Sequence, residues 1–298
     1  MVYNKGERER MRMEWLLALN QSLDYLEEHL EEKIDLARAA QIAGCSVYHY
    51  QRIFSYLAGM PLSEYLRRRR MTLAAQRLRM GEKVLQVSLR YGYESPTAFN
   101  RAFQAVHGVA PSEAKKEGVT LKAYPRIRFQ ITIKGAQEME YRIEHKSAFR
   151  IIGYGRTVGA SLEENAGIIP QMWTELAMSG EVAKLMQRMV PSTAYPGGLL
   201  GVCGAVGEEW KYYIAVATGQ DEPLPEGMEE SVVPESDWAI FPGRGRMPEA
   251  ITDLERRVIT EWLPSSGYEY ADAPDIEVYL TPNPQDAVFE VWMPVKKG

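Results

Sequence analysis

The chain contains little cysteine and no long apolar run. Its two cysteines, Cys45 and Cys203, are far apart among 298 residues, which argues against a disulfide framework and against the paired spacing of a zinc site. No apolar stretch approaches the ~18 residues of a membrane span, and charges alternate through the first twelve residues, where a signal peptide would be apolar. We therefore expect a cytoplasmic protein with no metal site and no membrane partner.

Catalytic motifs are also scarce. Of the four histidines only His145 lies beyond residue 124, and the sequence has no nucleophile elbow. Gly153, Gly155 and Gly159 do not have the spacing of a phosphate-binding loop. These absences argue against an enzyme and against a nucleotide cofactor, so we expect neither.

The net charge of −5 conceals two parts of opposite sign. Residues 1–124 carry 19 Lys and Arg against 14 Asp and Glu, whereas residues 125–298 carry 16 against 26. Within the first part, the window 45–117 holds 12 bases and 5 acids. The basic window suits a nucleic acid, and the acidic part suits a different partner.

The basic window contains an internal repeat. Seven positions recur at an offset of 49 residues, with one aromatic residue exchanged for another. Two copies of one small unit indicate two equivalent recognition surfaces in a single chain. The matched residues are Ser46, Tyr50, Arg52, Phe54, Gly59, Ser63 and Glu64 in the first copy and Ser95, Phe99, Arg101, Phe103, Gly108, Ser112 and Glu113 in the second.

Each copy has the signals of a helix-turn-helix unit. Gly44 can close one short helix and Ser46 can cap the next, and Gly92 and Ser95 fit the same roles in the second copy. We predict an all-α DNA-binding domain over residues 1–117. Its parts are a first helix over 14–32, helix-turn-helix units at about 35–58 and 84–107, and a connecting helix over 61–80.

The second helix of each unit turns polar side chains away from its apolar face. Arginine pairs with guanine, amides pair with adenine, and hydroxyls add further contacts in a major groove. A polar helix face is usually only solvated, but matching offsets in two copies favour DNA contact, and a connecting helix of about 28 Å is close to the ~34 Å between successive grooves. The predicted DNA-binding residues are Tyr48, Gln51, Arg52 and Ser55 in the first helix and Thr97, Asn100, Arg101 and Gln104 in the second.

The sequence pattern changes after residue 117. Residues 118–138 are predicted to form a linker and a first strand, because Ile127, Phe129, Ile131 and Ile133 alternate. From 139 to 298 the order strand, helix, strand, strand occurs twice, which predicts an α+β domain. The first set covers 142–157, 166–179, 199–206 and 212–218, and the second covers 232–241, 247–262, 276–280 and 288–293.

The predicted strand 276–280 places an acid among apolar residues. Alternation puts Glu277 and Tyr279 on one face. A carboxylate buried without a partner is costly, so Glu277 is paired, protonated or the site of a cation, unless it faces solvent on an edge strand. Five of the six tryptophans lie in this part of the chain, either as core residues or as ring surfaces for a cation. The candidate effector-binding residues are Glu277, Tyr279, Trp292, Trp173 and Trp210.

Several spaced motifs of the first part occur in a recognisable order. They are Gly44-Cys45-Ser46, residues 48–54, residues 91–95, residues 99–103 and residues 108–111. Together they resemble the double helix-turn-helix of the AraC/XylS family, over about residues 20–116. Ser88 and Ala114-Lys115 depart from the usual family pattern, which affects packing detail more than DNA binding. The resemblance implies a sequence-specific transcriptional regulator that binds double-stranded DNA and has RNA polymerase as a further partner.

The second part has its own resemblance. Trp262-Leu263-Pro264 and the segments 275–279 and 292–295 are similar to the GyrI-like effector-binding domains of multidrug-sensing regulators. The resemblance covers residues 139–298 and implies a central cleft that binds lipophilic, often cationic, molecules against a glutamate matched by Glu277. Two alternatives stay open: a hydrolase-like enzyme that uses Glu277 and Tyr279, and a module that docks another protein.

Overall fold

The structure of the protein is a computed structural model. In its N-terminal part, two helices share the same residues at their two ends. Ser46 and Ser95 each accept a hydrogen bond from the backbone N–H three residues later, and Gly59 and Gly108 end the same two helices with φ of 65° and 78°. Serine oxygens satisfy free N–H groups at a helix start, and glycine adopts a positive φ without strain. The two copies of the repeat therefore begin and end their second helices in the same way.

The structure describes residues 5–130, 138–159, 162–189, 192–206, 209–219, 222–281 and 283–297. Among them, no helix is both long and apolar enough to cross a membrane. The helices of the first range are α1 (Lys5–Glu28), α2 (Leu36–Ile42), α3 (Val47–Ala58), α4 (Leu62–Arg79), α5 (Val84–Arg90) and α6 (Pro96–His107), followed by a 3-10 turn at Pro111–Glu113.

Helix α1 differs from the predicted helix over 14–32. It begins earlier and ends at Glu28, where the ring and backbone nitrogens of His29 both bond the carbonyl of Tyr25. Leu30 lies beyond the helix but is still buried. The leucine spacing correctly identified a packing face, although it did not mark the end of the helix.

Helix α4 joins two small apolar cores. Near its start, Leu62 and Tyr65 belong to the same core as Phe54 of α3. Further along, Met71 packs in a second core with Phe103 of α6. The 18 residues of α4 rise about 27 Å, which sets the separation between α3 and α6.

The predicted strand within 118–138 is wrong for the part that the structure describes. Residues 119–130 form no strand, and Ile131 and Ile133 lie outside the described residues. Phe129 is buried against Phe54, and its backbone N–H and carbonyl both bond the side-chain amide of Asn20. The side-chain amide of Asn20 in α1 thus supplies the hydrogen bonds that a neighbouring strand would give to the backbone of Phe129.

The second part of the chain forms one antiparallel sheet. Its strands lie in the order β1-β6-β9-β8-β3-β4-β2-β5, and β7 adds to β9. The strands are β1 (Arg142–Lys146), β2 (Phe149–Thr157), β3 (Leu199–Val206), β4 (Glu209–Thr218), β5 (Glu229–Val233), β6 (Ser236–Gly245), β7 (Tyr268–Tyr270), β8 (Asp275–Tyr279) and β9 (Ala287–Lys297). The helices are α7 (Leu162–Met178), α8 (Glu181–Met186), α9 (Glu249–Arg257) with a π-helical turn (Val258–Trp262), and α10 (Leu263–Ser266).

The predicted tandem order is confirmed as two strand-helix-strand-strand units. The first is β2-α7-β3-β4 and the second is β6-α9-β8-β9, and β3 pairs with β8 at the centre of the sheet. The predicted strands 142–157 and 232–241 are each two strands. The first strand of each pair lies at an end of the sheet: β1 pairs with β6 at one end, and β5 pairs with β2 at the other. The predicted strand is therefore interrupted, and the chain continues in a second strand.

One face of the sheet carries both long helices of this domain. Ile214 and Val291 point to this face, where Ile214 packs in the α7 core and Val291 in the α9 core. Glu277 stands opposite Val291 and Gly201 in the strand register, and Gly201 stands opposite Ile214. Glu277 therefore points to the same face, which we call the helix face, between α7 and α9.

Candidate functional site

The second recognition helix, α6, presents its polar face to solvent. Phe99 and Phe103 on the other side of the helix are fully buried. All four predicted contacts on α6 are exposed, namely Thr97, Asn100, Arg101 and Gln104. This helix can reach a groove without rearrangement.

The first recognition helix, α3, lies against the sheet domain. Tyr48, Arg52 and Ser55 are only 6%, 8% and 8% exposed, and Gln51 is partly buried. The Ser55 hydroxyl donates to the backbone carbonyl of Gln51 within the helix. The expectation that both helices turn these residues outward is wrong for α3 in this conformation, whereas their DNA contact stays a prediction.

Arg52 is held by acids of the sheet domain. Its Nη2 lies 2.5 Å from Oε1 of Glu255 on α9, and its Nη1 lies 3.2 Å from Oδ2 of Asp275 on β8. Nη1 also donates to the Tyr48 hydroxyl at 3.0 Å, and the Tyr56 hydroxyl donates to Oε2 of Glu255 at 2.8 Å. The guanidinium is thus a buried cation shared by two carboxylates.

Two ring contacts extend this interface. The Tyr48 ring stacks on Trp210 with centroids 4.3 Å apart, and His49 stacks on Tyr270 at 3.7 Å. Burial lowers the pKa of His49 to about 3, and the charge of Arg52 acts in the same direction. The imidazole is therefore neutral at physiological pH and packs as an aromatic ring.

The polar groups of the interface are incompletely satisfied. Within the described part of the chain, His49 Nε2, Arg52 Nε and Asp275 Oδ2 are buried without a hydrogen-bond partner. Asp275 Oδ2 is close enough to Arg52 for an ion pair but lacks hydrogen-bond geometry. His49 Nε2 and Arg52 Nε thus gain no hydrogen bond from this contact, whereas Asp275 Oδ2 is still compensated by the charge of Arg52.

Glu277 lies on the helix face, in a ring of aromatic side chains. Its Oε2 accepts hydrogen bonds from the hydroxyls of Tyr212 at 2.7 Å and Tyr279 at 2.8 Å. Trp173 of α7 donates its indole N–H to the Tyr212 hydroxyl at 3.1 Å and meets the Tyr279 ring edge-on. The acid is partly buried and linked by hydrogen bonds to both a strand and a helix.

A glycine makes room for this arrangement. A Cβ at Gly201 of β3 would overlap both the Tyr212 hydroxyl and the Glu277 carboxylate. Its backbone is extended and needs no special φ, so the position is explained by space alone. Gly201 lets the Tyr212 hydroxyl of β4 and the Glu277 carboxylate of β8 meet above β3, the strand that lies between them.

The acids of the helix face hold their protons unusually tightly. Burial raises the pKa of Glu277 to about 7, helped by the charge of Glu255 and opposed by the two phenol hydrogen bonds and Arg52. Burial likewise raises the pKa of Asp275 to about 6, with Arg52 opposing the shift. Arg52 therefore lies among more carboxylates than it can neutralise, so the acid cluster favours positive charge.

The structure groups most of the predicted effector-binding residues. Tyr279 contacts both Glu277 and Trp173, and Trp210 lies on the same face beside Tyr48. Trp292 does not join them. It stands opposite Ile276 in the register and is buried on the other face against Trp238, with its indole N–H bonded to Glu290.

Several residues of this site were missed from the sequence. Tyr212 alternates with Trp210 along β4, so its position on the same face was available as a signal. Glu255 follows Ile251 by four residues and precedes Val258 by three, which places an acid on the apolar stripe of α9. The third missed residue, Asp275, shares the face of Glu277 two residues away.

An open cavity of about 300 Å³ adjoins the interface at the start of α3. Tyr48 and His49 line it from the helix, and Cys203, Trp210 and Pro274 are among the residues that line it from the sheet domain. A molecule in this cavity would touch the recognition helix and the sheet at once.

The geometry defines a class of protein: a double helix-turn-helix joined to an antiparallel domain whose helix face carries an acidic, aromatic cluster. Comparison with known proteins agrees. Residues 139–296 match the family described as GyrI-like small molecule binding domain, and residues 39–117 match a helix-turn-helix domain family. The chain belongs to the GyrI-like family and carries an AraC-type DNA-binding domain at its N-terminus.

Individual relatives cover the DNA-binding part. The chain is 36% identical over 95 residues to the HTH-type transcriptional activator AarP of Providencia stuartii, covering 32% of this chain and 70% of AarP. It is 34% identical over 96 residues to the multiple antibiotic resistance protein MarA of Escherichia coli, covering 32% of this chain and 76% of MarA. A transcription regulation protein from Staphylococcus aureus is similar over 53% of this chain and 99% of its own, at 22% identity and a TM-score of 0.45.

These findings establish the general function of the chain. It is a transcriptional regulator that binds DNA through its helix-turn-helix domain and a small molecule through its GyrI-like domain. The predicted fold class, an all-α double helix-turn-helix followed by an α+β tandem domain, is confirmed.

Proposed function

We propose that the effector is a lipophilic cation and that Glu277 is its anionic contact. The observation that carries this proposal is a carboxylate on the helix face, bonded to two phenols beside Trp173, whose pKa burial raises to about 7. A cation stabilises the charged form of such an acid, and the aromatic faces add about 0.5–2 kcal/mol each. Sensing of several drugs by one cleft follows, because ring stacking does not require one ligand shape.

The DNA contacts follow from the two recognition helices. In this proposal Asn100 and Arg101 of α6 reach base edges directly, and Gln51 and Arg52 of α3 reach the next groove when α3 is free. The separation set by α4 supports two successive grooves on one side of the duplex. RNA polymerase is a proposed further partner, since a regulator bound beside a promoter acts on the transcription machinery, and we place the protein in the cytoplasm with its DNA.

A hydrolase activity ranks second. The specific observation in its favour is that Glu277 accepts hydrogen bonds from two tyrosine hydroxyls, a pairing that can serve acid–base chemistry. The relatives that cover the helix-turn-helix domain are transcriptional regulators, and we propose that the chain is not an enzyme. Glu277-dependent turnover of small reactive esters would reverse this order.

Calorimetric titration tests the effector proposal. Tetraphenylphosphonium is a suitable probe because its positive charge does not titrate and its rings suit an aromatic cleft. The full chain should bind it, and Glu277→Gln should weaken binding by about tenfold or more. Glu290→Gln is the matched control, since Glu290 stands on the opposite face of the same sheet, where it accepts the Trp292 indole N–H.

The outcome divides clearly. Loss of affinity in Glu277→Gln with normal affinity in Glu290→Gln supports the proposed site. Equal affinity in both variants and the parent chain would show that Glu277 does not contact the effector. Binding of a neutral analogue as tightly as the cation would show that recognition of the effector does not depend on its charge.

A further inference from the structure

The recognition helix α3 packs beside Glu277, the proposed contact of the effector, because Arg52 of α3 pairs with Asp275, two residues from Glu277 on β8. Tyr48, Arg52 and Tyr56 are among the side chains by which α3 contacts the sheet domain. Tyr48 and Arg52 are also two of the four predicted DNA contacts of this helix, with Gln51 and Ser55. A side chain buried between α3 and the sheet cannot enter a major groove. In this conformation, which we call closed, α3 therefore cannot bind its half of the DNA site.

The Arg52 guanidinium resembles a bound cationic ligand. It is flat and positively charged, and it is held by two carboxylates of the sheet domain, Glu255 and Asp275. The rings of Tyr48 and Tyr56 that lie near it belong to α3 itself. A lipophilic cation would make the same contact with these two acids. The protein thus supplies its own cation to its own cleft.

We propose that α3 is an internal competitor of the effector: Arg52 occupies the acid cluster formed by Glu255, Asp275 and Glu277, and a bound cation displaces α3 and frees it for DNA. The inference rests on the proposed function of Glu277 and adds how that site is regulated. In the absence of effector only α6 is available, and DNA binding is weak. With effector bound, both helices are available, and the effector acts as an inducer of DNA binding.

Several features suit a contact that must open. Polar atoms of Arg52, His49 and Asp275 are buried without hydrogen-bond partners, so exposure to water or to a ligand satisfies groups that the closed form leaves unsatisfied. A ligand that binds only when α3 has left shifts the equilibrium by its full binding free energy, which is the requirement for an effective switch.

The sheet side of the contact allows a test that leaves the DNA-contacting residues intact. The double variant Glu255→Gln, Asp275→Asn removes the charge that holds Arg52 and changes no residue of α3. We expect hydrogen exchange of the amides in α3 (Val47–Ala58) to increase without any ligand, while α6 (Pro96–His107) exchanges as before. Glu261→Gln is the matched control, because Glu261 lies in the π-helical turn after α9 but is exposed and pairs with Arg257 rather than with Arg52.

DNA affinity gives the second measurement. A duplex selected from a random pool by the wild-type chain should bind the double variant about tenfold more tightly than the wild type at the same salt concentration. A thermal melt of each variant shows whether it is folded. Protection of the amides in α6 and β3 then shows that the faster exchange of α3 is local opening, because a globally unfolded variant would lose protection in α6 and β3 as well. Unchanged protection of α3 together with unchanged DNA affinity would overturn the proposal.

The same measurements separate this proposal from the one on which it rests. If tetraphenylphosphonium binds to Glu277 but α3 stays protected and DNA affinity does not change, the competition fails and the effector site stands. If tetraphenylphosphonium does not bind but the double variant opens α3 and binds DNA more tightly, the effector chemistry fails and the internal restraint by Arg52 stands.

Discussion

Arg52 of the first recognition helix forms a buried ion pair with Glu255 of the sheet domain, with 2.5 Å between Nη2 and Oε1. The two residues are far apart in sequence, and each belongs to a different domain of the regulator. This one contact links the surface predicted to bind DNA to the cleft proposed to bind the effector. Its consequences can be measured from either side.

The first prediction concerns the pH dependence of effector binding. Because the folded protein raises the pKa of Glu277 to about 7, a permanent cation must displace a proton at lower pH. Affinity for tetraphenylphosphonium should rise by up to about tenfold per pH unit below pH 7 and level off above it. Calorimetry in a pH series measures this, and proton uptake by buffers of different ionisation enthalpy gives an independent count.

The Glu277→Gln variant is the control for that profile. It should lose the dependence above pH 6, and any remaining change below that value belongs to Asp275, whose pKa is raised to about 6. A profile in the variant that still bends near pH 7 would assign the titration to another group.

The second prediction compares the arginines of the two recognition helices. Arg101 is exposed and takes no part in the contact between α3 and the sheet domain. Arg101→Ala should therefore weaken specific DNA binding by about 1–3 kcal/mol and change nonspecific binding much less. Arg52→Ala removes a base contact but also releases α3 from Glu255. Without effector its loss should therefore be smaller than that of Arg101→Ala, and with effector the two losses should become similar.

Fluorescence anisotropy at fixed salt measures both variants on specific and random duplexes. Equal losses on the two kinds of duplex would argue against base contact. Equal losses for the two variants with and without effector would argue against any second role of Arg52.

The third prediction concerns the space above Gly201. In Gly201→Ala the new methyl group overlaps the Tyr212 hydroxyl and the Glu277 carboxylate, so the free energy of unfolding should fall by about 1–3 kcal/mol and cation binding should weaken with it. Urea denaturation and calorimetry measure the two effects. Gly197→Ala is the matched control, because a Cβ there meets open space and should change neither quantity.

The fourth prediction concerns His49 and the pH dependence of stability. Its pKa is about 3 in the folded protein and near 6.5 in the unfolded chain, so between these values the unfolded chain binds the extra proton. The contribution of His49 to stability is complete above pH 6.5 and is lost as pH falls toward 3. Asp275 and Glu277 have raised pKa values and act in the opposite direction. The wild-type slope of unfolding free energy against pH is therefore the sum of opposing contributions from His49 and from these two acids.

Removing the imidazole isolates its part. Urea denaturation of His49→Gln between pH 4 and 6 should show a slope against pH that is lower than the wild-type slope by about 1.4 kcal/mol per unit. If the variant keeps the wild-type slope, His49 does not remain neutral in the folded protein.

Local signals in the sequence predicted the local parts of this structure. The serine and glycine positions of the repeat located α3 and α6, because caps depend on residues close in sequence. Alternation placed Glu277 and Tyr279 together, because the two faces of a strand follow from its own residues.

The parts that could not be predicted depend on distant residues. Trp292 lies on the opposite face because of the register between β8 and β9, which alternation within either strand does not give. Phe129 bonds an asparagine side chain of α1 rather than a strand. The burial of Arg52 arises from a domain contact that no pattern within α3 encodes, since the same polar face on α6 is exposed.

The most direct test of the account is the DNA affinity of the full wild-type chain with and without saturating tetraphenylphosphonium, measured at one salt concentration on one selected duplex. The account predicts about tenfold tighter binding with the cation, because the cation takes the place of Arg52 and frees α3. Unchanged or weaker DNA binding, at a cation concentration that calorimetry shows to be saturating, would contradict it.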